Sequence, residues 1–250
     1  MRPTQTTNQG ATAAVARRHF RLHDQVVDAV GRRIVTGQLP AGTTIVPESL
    51  RTEFAVSASV MREAFRALQE KGLLKAKSKV GTKVLPSSEW NFLDPQVILW
   101  RFESDDRDEQ IAEFFEVRLA LEPVAAQLLA DRDAVATVAV LRACVTQMKL
   151  AADRNDLRAF VRADVEYHAT LVAESGNQMF ATLRSIVELA VSVREMLFFP
   201  FSGLEMHELS LHEQLVNDIA ERRPTAWQTA RQLLISARDE LRVELAARAE

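Results

Sequence analysis

The spacing of apolar residues predicts two helices near the start of the chain. The first helix follows apolar positions three and four residues apart and ends at the turn residues Gly37 and Pro40. Its apolar positions are Leu22, Val26, Val27, Val30 and Ile34. A short second helix is predicted from Pro47 to about Phe54, because proline fits a first helical turn, where its missing N–H needs no partner.

A third helix and two strands follow. Ser57 is suited to cap the N-terminus of this helix, and Gly72 is suited to end it. The inner face of the helix consists of Val60, Met61, Ala64 and Leu68. Residues 73–77 and 82–85 have the pattern of two strands of a hairpin around a turn at 78–81. Three helices and a hairpin predict a winged helix-turn-helix domain over residues 21–86.

Beyond residue 95 the apolar spacing is helical throughout. The predicted segments are 96–103, 108–130, 134–153, 156–175, 178–199, 206–222 and 225–248. Six or seven helices around one apolar core predict an antiparallel bundle over residues 96–250, joined to the first domain by a linker at 87–95. The predicted fold class is therefore mainly α.

Composition narrows the class of protein and its compartment. The chain has 250 residues, of which 47% are apolar, and this suffices for a sizeable core. Its single cysteine, Cys144, cannot form an internal disulfide or a four-thiolate zinc site, so we expect a cytoplasmic protein. We expect no membrane partner, because no apolar stretch approaches the ~20 residues of a membrane span. Residues 1–20 lack the apolar middle of a secretory signal and predict a flexible polar tail.

Charge is distributed unevenly along the chain. The net charge of −3 would by itself argue against a nucleic-acid partner. Residues 1–88, however, contain 14 Lys and Arg against 6 Asp and Glu, a net charge of +8, whereas residues 89–250 contain 17 against 28, a net charge of −11. The sequence therefore predicts a basic domain followed by an acidic one.

The basic domain has the shape and charge to bind DNA. A helix of ~10–12 Å diameter fits the major groove, and a guanidinium can donate two hydrogen bonds to guanine O6 and N7. The hairpin lysines suit phosphate or the minor groove; they are Lys75, Lys77, Lys79 and Lys83. A single lysine is explained as well by a solvated surface, but their concentration beside a helix-turn-helix favours DNA.

The basic domain resembles the DNA-binding domain of GntR-family bacterial transcription regulators. The similarity lies in residues 34–42 (IVTGQLPAG), 56–68 (VSASVMREAFRAL), 72–74 (GLL) and 80–84 (VGTKV). The family pattern has an entry I-x-x-G-x-L-x-P/A-G, a recognition helix V-S-R-x-x-V-R-E-A-x-x-x-L and a wing G-x-G-T-x-V. The resemblance implies a winged domain whose third helix reads DNA.

Two positions depart from the family pattern. The family usually has an arginine directly after the serine that opens the recognition helix, and this chain has Ala58. Residues 46–50 (VPESL) replace a common Glu-Arg-Glu-Leu run, so a second expected arginine is missing and the usual operator cannot be assumed. Arg62 is the matching arginine that remains. The candidate DNA-binding residues are Arg51, Ser57, Ser59, Arg62, Arg66, Lys77, Lys79 and Gly81.

In the acidic domain, Asp164 and His168 are four residues apart, which places them on one face of a helix where both can bind one ion. Spacing alone favours a different interpretation, with His168 as a hydrogen-bonded core residue and His212 as a surface residue, because a D-x-x-x-H pair is common by chance. It does not bring His212 to Asp164.

The acidic domain resembles the all-helical FCD ligand-binding domain of the FadR-type GntR subfamily. The similarity lies in residues 116–122 (EVRLALE), 164–168 (DVEYH) and 212–219 (HEQLVNDI). In such domains an aspartate and three histidines bind a divalent metal that a carboxylate effector coordinates. The resemblance assigns Asp164, His168 and His212 as ligands of a divalent ion such as Zn, Ni or Mn. The third histidine is missing, because the chain has Leu233 and Leu234 near that position and no histidine after His212.

An acid effector would also need a positive charge. The resemblance assigns Arg118 to the effector carboxylate, with Arg194 as a weaker candidate, and a guanidinium suits a carboxylate by two-pronged pairing. Arg118 could instead be a surface residue paired with Glu122 at i,i+4. Residues 90–95 (WNFLDP), followed by Trp100, further resemble regulators of sugar-acid catabolism, those that respond to galactonate in particular.

These features predict a homodimeric, ligand-gated repressor that binds an operator in double-stranded DNA and responds to a small sugar acid. A dimer is expected because operator symmetry mirrors protein symmetry. Two alternatives stay open at this point. Two histidines and a carboxylate are also a metal site of some enzymes, and a basic domain alone would suit a non-specific DNA-binding protein.

Overall fold

The structure is a computed structural model that describes residues 8–77, 81–196 and 205–249. The chain divides into two compact units at the junction of Arg107 and Asp108. Helices predominate in the described residues, so the predicted fold class is confirmed. The first unit contains α1 (Asn8–Val35), β1 (Thr44–Ile45), α2 (Pro47–Glu53), α3 (Ala58–Glu70), β2 (Leu74–Lys77), β3 (Gly81–Val84), a 3-10 helix (Ser87–Glu89) and α4 (Pro95–Arg101).

Local sequence explains the ends of α2 and α3. Pro47 is the first residue of α2, and Ala55, in a left-handed conformation, forms the turn that follows it. The hydroxyl of Ser57 accepts a hydrogen bond from the backbone N–H of Val60, which caps α3 as predicted. Gly72 has a φ of +75°, and a Cβ there would lie 2.1 Å from the carbonyl oxygen of Glu89.

The backbone of Gly72 is in the left-handed region, directly after Lys71, the C-terminal cap of α3. This left-handed conformation favours glycine, and it ends α3 as the sequence predicts.

The three strands form an antiparallel sheet in the order β1-β3-β2. Leu74 lies opposite Val84, and Lys75 lies opposite Lys83, as in the predicted hairpin. Strand β1 was not predicted, because two residues are too few to show an alternating pattern. Residues 78–80 of the predicted turn lie outside the described residues.

Helix α4 belongs to the first unit, whereas residues 96–101 were predicted to lie in the bundle. Val97 and Trp100 are buried in the same core as residues of α1 and α3. The indole N–H of Trp100 donates to the carboxylate of Asp28 at 2.8 Å. Its ring also lies against Gly31, where a Cβ would be 2.2 Å from the ring. Because Trp100 packs into the core of the first unit, this unit extends to Arg107 and does not end before residue 96 as predicted.

The predicted linker at 87–95 is bonded to the first unit. The indole N–H of Trp90 donates to the carbonyl oxygen of Leu85, and Lys71 forms an ion pair with Asp94 at 2.7 Å. Asp94 also caps α4 by accepting hydrogen bonds from the first turn. These contacts make the segment a continuation of the first unit.

Helix α1 begins at Asn8, inside the segment for which a flexible tail was predicted. Residues 11–16 (ATAAVA) contain four alanines, the residue with the highest intrinsic helix propensity. Polarity alone was therefore a poor guide to this segment. Residues 1–7 lie outside the described part of the chain.

The second unit is helical throughout its described residues. Its helices are α5 (Arg107–Ala130), α6 (Val135–Asp153), α7 (Leu157–Ala173), α8 (Gln178–Ala181), α9 (Arg184–Met196), α10 (Glu205–Ala220) and α11 (Ala226–Ala249). One apolar core, which includes Leu141, Phe160 and Leu215, joins them. The predicted helix 178–199 is divided between α8 and α9. At the break, the hydroxyl of Thr182 bonds to the carbonyl oxygen of Met179 at 2.6 Å.

Helix α6 corrects the expectation that no stretch is apolar enough to span a membrane. By length and composition it could do so, with a mean hydropathy of 1.4. It packs against α7 and α10, however, and Leu141 and Met148 are fully buried in the core of the unit. Its apolar composition is explained by its position inside the bundle.

Candidate functional site

Helix α3 carries polar residues opposite its apolar stripe. Ser57 and Ser59 lie at its start, with their hydroxyl oxygens 2.8 Å apart. Arg62 is exposed one turn further along and forms no ion pair with the described residues. An exposed, unpaired guanidinium on this face is able to form two hydrogen bonds with an external acceptor.

The other two candidate arginines pair with carboxylates on their own helices. Arg51 Nε lies 2.9 Å from Glu48, and Arg66 Nε lies 3.2 Å from Glu70. Such pairs at three or four residues' separation are weak at an exposed surface. Both guanidinium groups can therefore leave these carboxylates to bind DNA at a small cost in free energy. Arg62 has no ion pair among the described residues to break first.

The hairpin places like charges beside each other. Lys75 and Lys83 are directly opposite on β2 and β3, an arrangement that is unfavourable without an anion nearby. Gly81 begins β3 with a φ of +109°, in the conformation that favours glycine. Lys77 lies opposite Gly81 in the register, and Lys79 lies outside the described residues.

In the second unit, α7 and α10 bring together the three predicted metal ligands. Asp164 Oδ1 lies 3.3 Å from His168 Nε2 and 3.1 Å from His212 Nε2. The two Nε2 atoms are 3.3 Å apart. Both histidines are 2% exposed. The structure thus supplies the proximity of His212 to Asp164 that spacing alone did not give.

Hydrogen bonds on the far side of each ring orient these nitrogens. His212 Nδ1 lies 2.8 Å from the carbonyl oxygen of Glu208, which can only accept, so Nδ1 carries the proton. His168 Nδ1 lies 2.5 Å from Glu122 Oε2, again an acceptor. Each Nε2 lone pair is therefore directed at the other and at Asp164 Oδ1, an oxygen without a hydrogen-bond donor.

Three electron-rich atoms this close require a cation between them. The cation can be a proton or a metal ion. An imidazole whose other nitrogen donates to a carboxylate or a backbone carbonyl is the usual form of a metal-binding histidine. The donor set of two nitrogens and one oxygen suits a divalent ion such as Zn, Ni or Mn. The residues present therefore fit a metal site.

The same charges affect the pKa values of the cluster. Burial opposes ionisation of Asp164, but the histidines outweigh it and hold the pKa of this carboxyl well below its ordinary value. Burial also lowers the pKa of His168, yet the carboxylates of Glu122 and Asp164 prevail and raise it to about 9. A proton therefore competes with a metal for this site.

Glu122 was not among the predicted site residues, although it is central to the geometry. It is 1% exposed, and its Oε1 accepts a hydrogen bond from Arg118 Nε at 2.6 Å. Arg118 is also buried, so the alternative of a surface residue paired with Glu122 is wrong, although the pair itself is present. The i,i+4 spacing had indicated the pair, but no sequence pattern placed it beside His168.

Tyr167 is a second neighbour that the sequence did not indicate. Its hydroxyl donates to the carbonyl oxygen of His212 at 3.2 Å. Its ring makes edge contacts with the rings of both His168 and His212. The fully buried tyrosine therefore holds α10 against α7 at the cluster.

Comparisons with known proteins match both units. The family described as "Bacterial regulatory proteins, gntR family" matches residues 22–84, and the FCD domain matches residues 113–237. The galactonate operon transcriptional repressor of Escherichia coli (strain K12) is 33% identical over 161 residues, 64% of this chain and 69% of that protein. The chain belongs to the GntR family of bacterial regulators, with an FCD domain.

Two further comparisons, one of sequence and one of fold, match most of the chain. The HTH-type transcriptional regulator YieP of Escherichia coli (strain K12) is 27% identical over 215 residues, 86% of this GntR protein and 92% of YieP. The solved structure of Lar from Listeria monocytogenes has a TM-score of 0.53 and 19% identity, and covers 91% of this chain and 97% of its own. The chain is accordingly a transcription regulator and not an enzyme.

The fourth metal ligand of the FCD pattern has no equivalent here. Leu233 and Leu234, near that position, are buried apolar residues of α11. Arg194, the second candidate for the effector, lies in α9, and its role stays a prediction.

Proposed function

We propose that this GntR protein is a repressor of a sugar-acid catabolic operon, and that its effector binds beside a divalent metal in the FCD domain. The observation that carries the proposal is the convergence of Asp164 Oδ1, His168 Nε2 and His212 Nε2 within 3.3 Å. A buried cluster of three lone pairs requires a cation. The galactonate repressor among its relatives supports a sugar acid as the effector class.

On the DNA side, we assign base reading to α3 and phosphate binding to the hairpin. Arg62 is exposed and unpaired among the described residues, so it can bind guanine without first breaking an ion pair. Ser59 lies beside it near the N-terminus of the helix. Lys75 and Lys83 repel each other across the hairpin, and a phosphate between them would relieve that repulsion.

On the effector side, three protein ligands leave coordination positions for water or an acid. When bound, a divalent ion would supply positive charge for an oxygen of the acid. Arg118 would pair with the carboxylate by two-pronged hydrogen bonding, because its hydrogen bond to Glu122 uses only Nε. The second unit has a strongly negative net charge, so these local positive charges are needed to hold an anion.

We further propose that the protein acts in the cytoplasm as a homodimer, because two winged domains match the two halves of a symmetric operator. Effector binding would change the balance between a state that binds the operator and a state that does not. The contacts of Trp100 with Asp28 and of Lys71 with Asp94 support a first unit that moves together with α4.

Footprinting on the DNA upstream of the protein's own gene tests the proposal. The purified chain is loaded with Zn²⁺, and protection is measured with and without a panel of aldonates and uronates. We expect a protected two-fold symmetric site and its loss with at least one acid. Equal binding to every sequence, or a protected site that no acid changes, would contradict the proposal.

Metal affinity should decrease as the pH falls below about 9. His168 has a pKa raised to about 9, and its proton must leave Nε2 before a metal can bind. Removal of this proton costs more free energy as the pH falls. The apparent metal affinity should therefore decrease by up to about tenfold per pH unit. Competition with a chelator of known affinity, from pH 6.5 to 8.5, measures the slope. An affinity independent of pH would contradict a protonated His168.

Replacement of both Lys75 and Lys83 by glutamine should weaken binding to specific and non-specific DNA alike. If each lysine contacts one phosphate, the dimer loses four phosphate contacts, and the slope of log affinity against log salt falls by about 4. Filter binding at several salt concentrations measures that slope. The matched control is the double replacement of Arg142 and Lys149 by glutamine. Both residues are exposed on α6, so this variant loses the same charge from the other unit. An unchanged slope would exclude the hairpin from the interface.

A further inference from the structure

Arg118, Glu122 and His168 form one buried chain of hydrogen bonds. Glu122 accepts from Arg118 Nε through one carboxylate oxygen and from His168 Nδ1 through the other, at 2.6 and 2.5 Å. None of the three residues is more than 5% exposed. A single carboxylate charge is therefore shared between the arginine and a metal ligand, away from water that would screen it.

We propose that Glu122 is a positioning residue through which Arg118 and the metal ligand His168 influence each other. This inference rests on the proposed metal site. Glu122 holds the His168 ring with Nε2 toward Asp164 and makes the imidazole a stronger ligand. Arg118 neutralises part of the Glu122 charge and thereby limits that effect.

We call the hydrogen-bonded chain of Arg118, Glu122 and His168 the relay. It predicts how the metal affinity of the site changes when an acid binds. An anion that pairs with the terminal nitrogens of Arg118 compensates the guanidinium charge, so Glu122 acts more strongly on His168. The metal is then held more tightly, and by reciprocity a bound metal favours the acid. The effector class that this arrangement recognises is a carboxylate, and a neutral sugar would lack the effect.

Replacement of Glu122 and replacement of Arg118 should therefore change the metal affinity in opposite directions. Glu122→Gln keeps the shape of the side chain but removes its charge, and we expect Co²⁺ and Zn²⁺ to bind about 10- to 100-fold more weakly. Arg118→Gln removes the opposing charge, and we expect binding about fivefold tighter. The double variant should be close to Glu122→Gln, because Arg118 bonds directly to Glu122 and acts on His168 chiefly through it.

The experiment titrates the full chain with Co²⁺ and with Zn²⁺ at fixed pH. The visible Co²⁺ spectrum reports the ligand set, and circular dichroism reports the fold. Arg142→Gln, which removes a positive charge from an exposed position on α6, is the matched control, for which we expect an affinity close to wild type. A purely structural role for Arg118 and Glu122 predicts weaker binding in both of their Gln variants.

Each outcome decides a different point. Glu122→Gln within twofold of wild type, or Arg118→Gln weakened as much as Glu122→Gln, overturns the relay and leaves the metal site intact. Absence of metal binding by the wild-type chain overturns the proposed site and the relay together.

A second measurement serves if Arg118→Gln fails to fold. In wild-type protein with ¹⁵N-labelled histidine, the His168 Nδ1–H in its short bond to Glu122 should give a downfield proton resonance that shifts with Zn²⁺. Its absence would overturn the relay.

Discussion

Replacement of Arg62 by alanine is expected to abolish specific operator binding while the chain keeps its fold and oligomeric state. The side chain is exposed on α3 and has no ion pair with the described residues, so its removal leaves no buried group without a partner. Surface substitutions of this kind change the free energy of unfolding by no more than about 0.5 kcal/mol. The effect should therefore lie in DNA recognition alone.

The size of the effect follows from the geometry of the contact. A two-pronged arginine–guanine pair contributes about 1–3 kcal/mol of discrimination, and a dimer makes the contact in both half-sites. The total of about 2–6 kcal/mol corresponds to roughly 30- to 20,000-fold in affinity. Gel-shift titration at fixed salt, with specific and scrambled DNA in parallel, measures the loss.

Arg62→Lys separates base reading from phosphate binding. Lysine keeps the positive charge but cannot reproduce the planar fork of a guanidinium. We expect Arg62→Lys to bind scrambled DNA like wild type and to lose most of the preference for the operator. Unchanged operator affinity in Arg62→Ala at matched salt would exclude α3 as the reading helix.

The first unit was largely predictable because its signals are local. Pro47, the Ser57 cap and Gly72 fix the ends of two helices by properties of single residues and their neighbours. The position of α4 was not predictable in this way. It depends on the fit of Trp100 against Gly31 and Asp28, about seventy positions earlier in the chain, and no periodicity reports such a contact.

The metal cluster shows the same division between local and distant information. Asp164 and His168 share one face of α7 because they are four residues apart. The approach of His212 was implied by family resemblance, and it depends on the packing of α10 against α7, which Tyr167 supports by its bond to the His212 carbonyl. Glu122 was missed because it meets His168 only when α5 and α7 are assembled.

Replacement of His168 should remove the metal and with it the response to an acid. His168 provides one of three converging ligand atoms, so its loss should cost more than the about 10- to 100-fold that follows from loss of a surrounding partner. Elemental analysis of the purified protein and Zn²⁺ titration measure this loss. Operator binding should persist and should no longer depend on the effector.

The choice of substitution matters because His168 also supports Glu122. Alanine would leave a buried carboxylate oxygen without its donor, at a cost of about 1–3 kcal/mol in stability. His168→Gln offers an amide N–H in place of Nδ1–H and so tests metal binding with less effect on the fold. His207→Ala is the matched control, since His207 is exposed on α10, the helix that carries His212.

The combination of variants distinguishes a ligand from a structural residue. If His168 binds the metal, both His168→Ala and His168→Gln lose it, although only the first is markedly less stable. If His168 only maintains the core, His168→Gln keeps its metal, and full occupancy by elemental analysis would remove His168 from the site. The effector response then decides whether metal and regulation are connected: a variant without metal that still releases the operator on addition of acid would show that the acid acts through Arg118 alone.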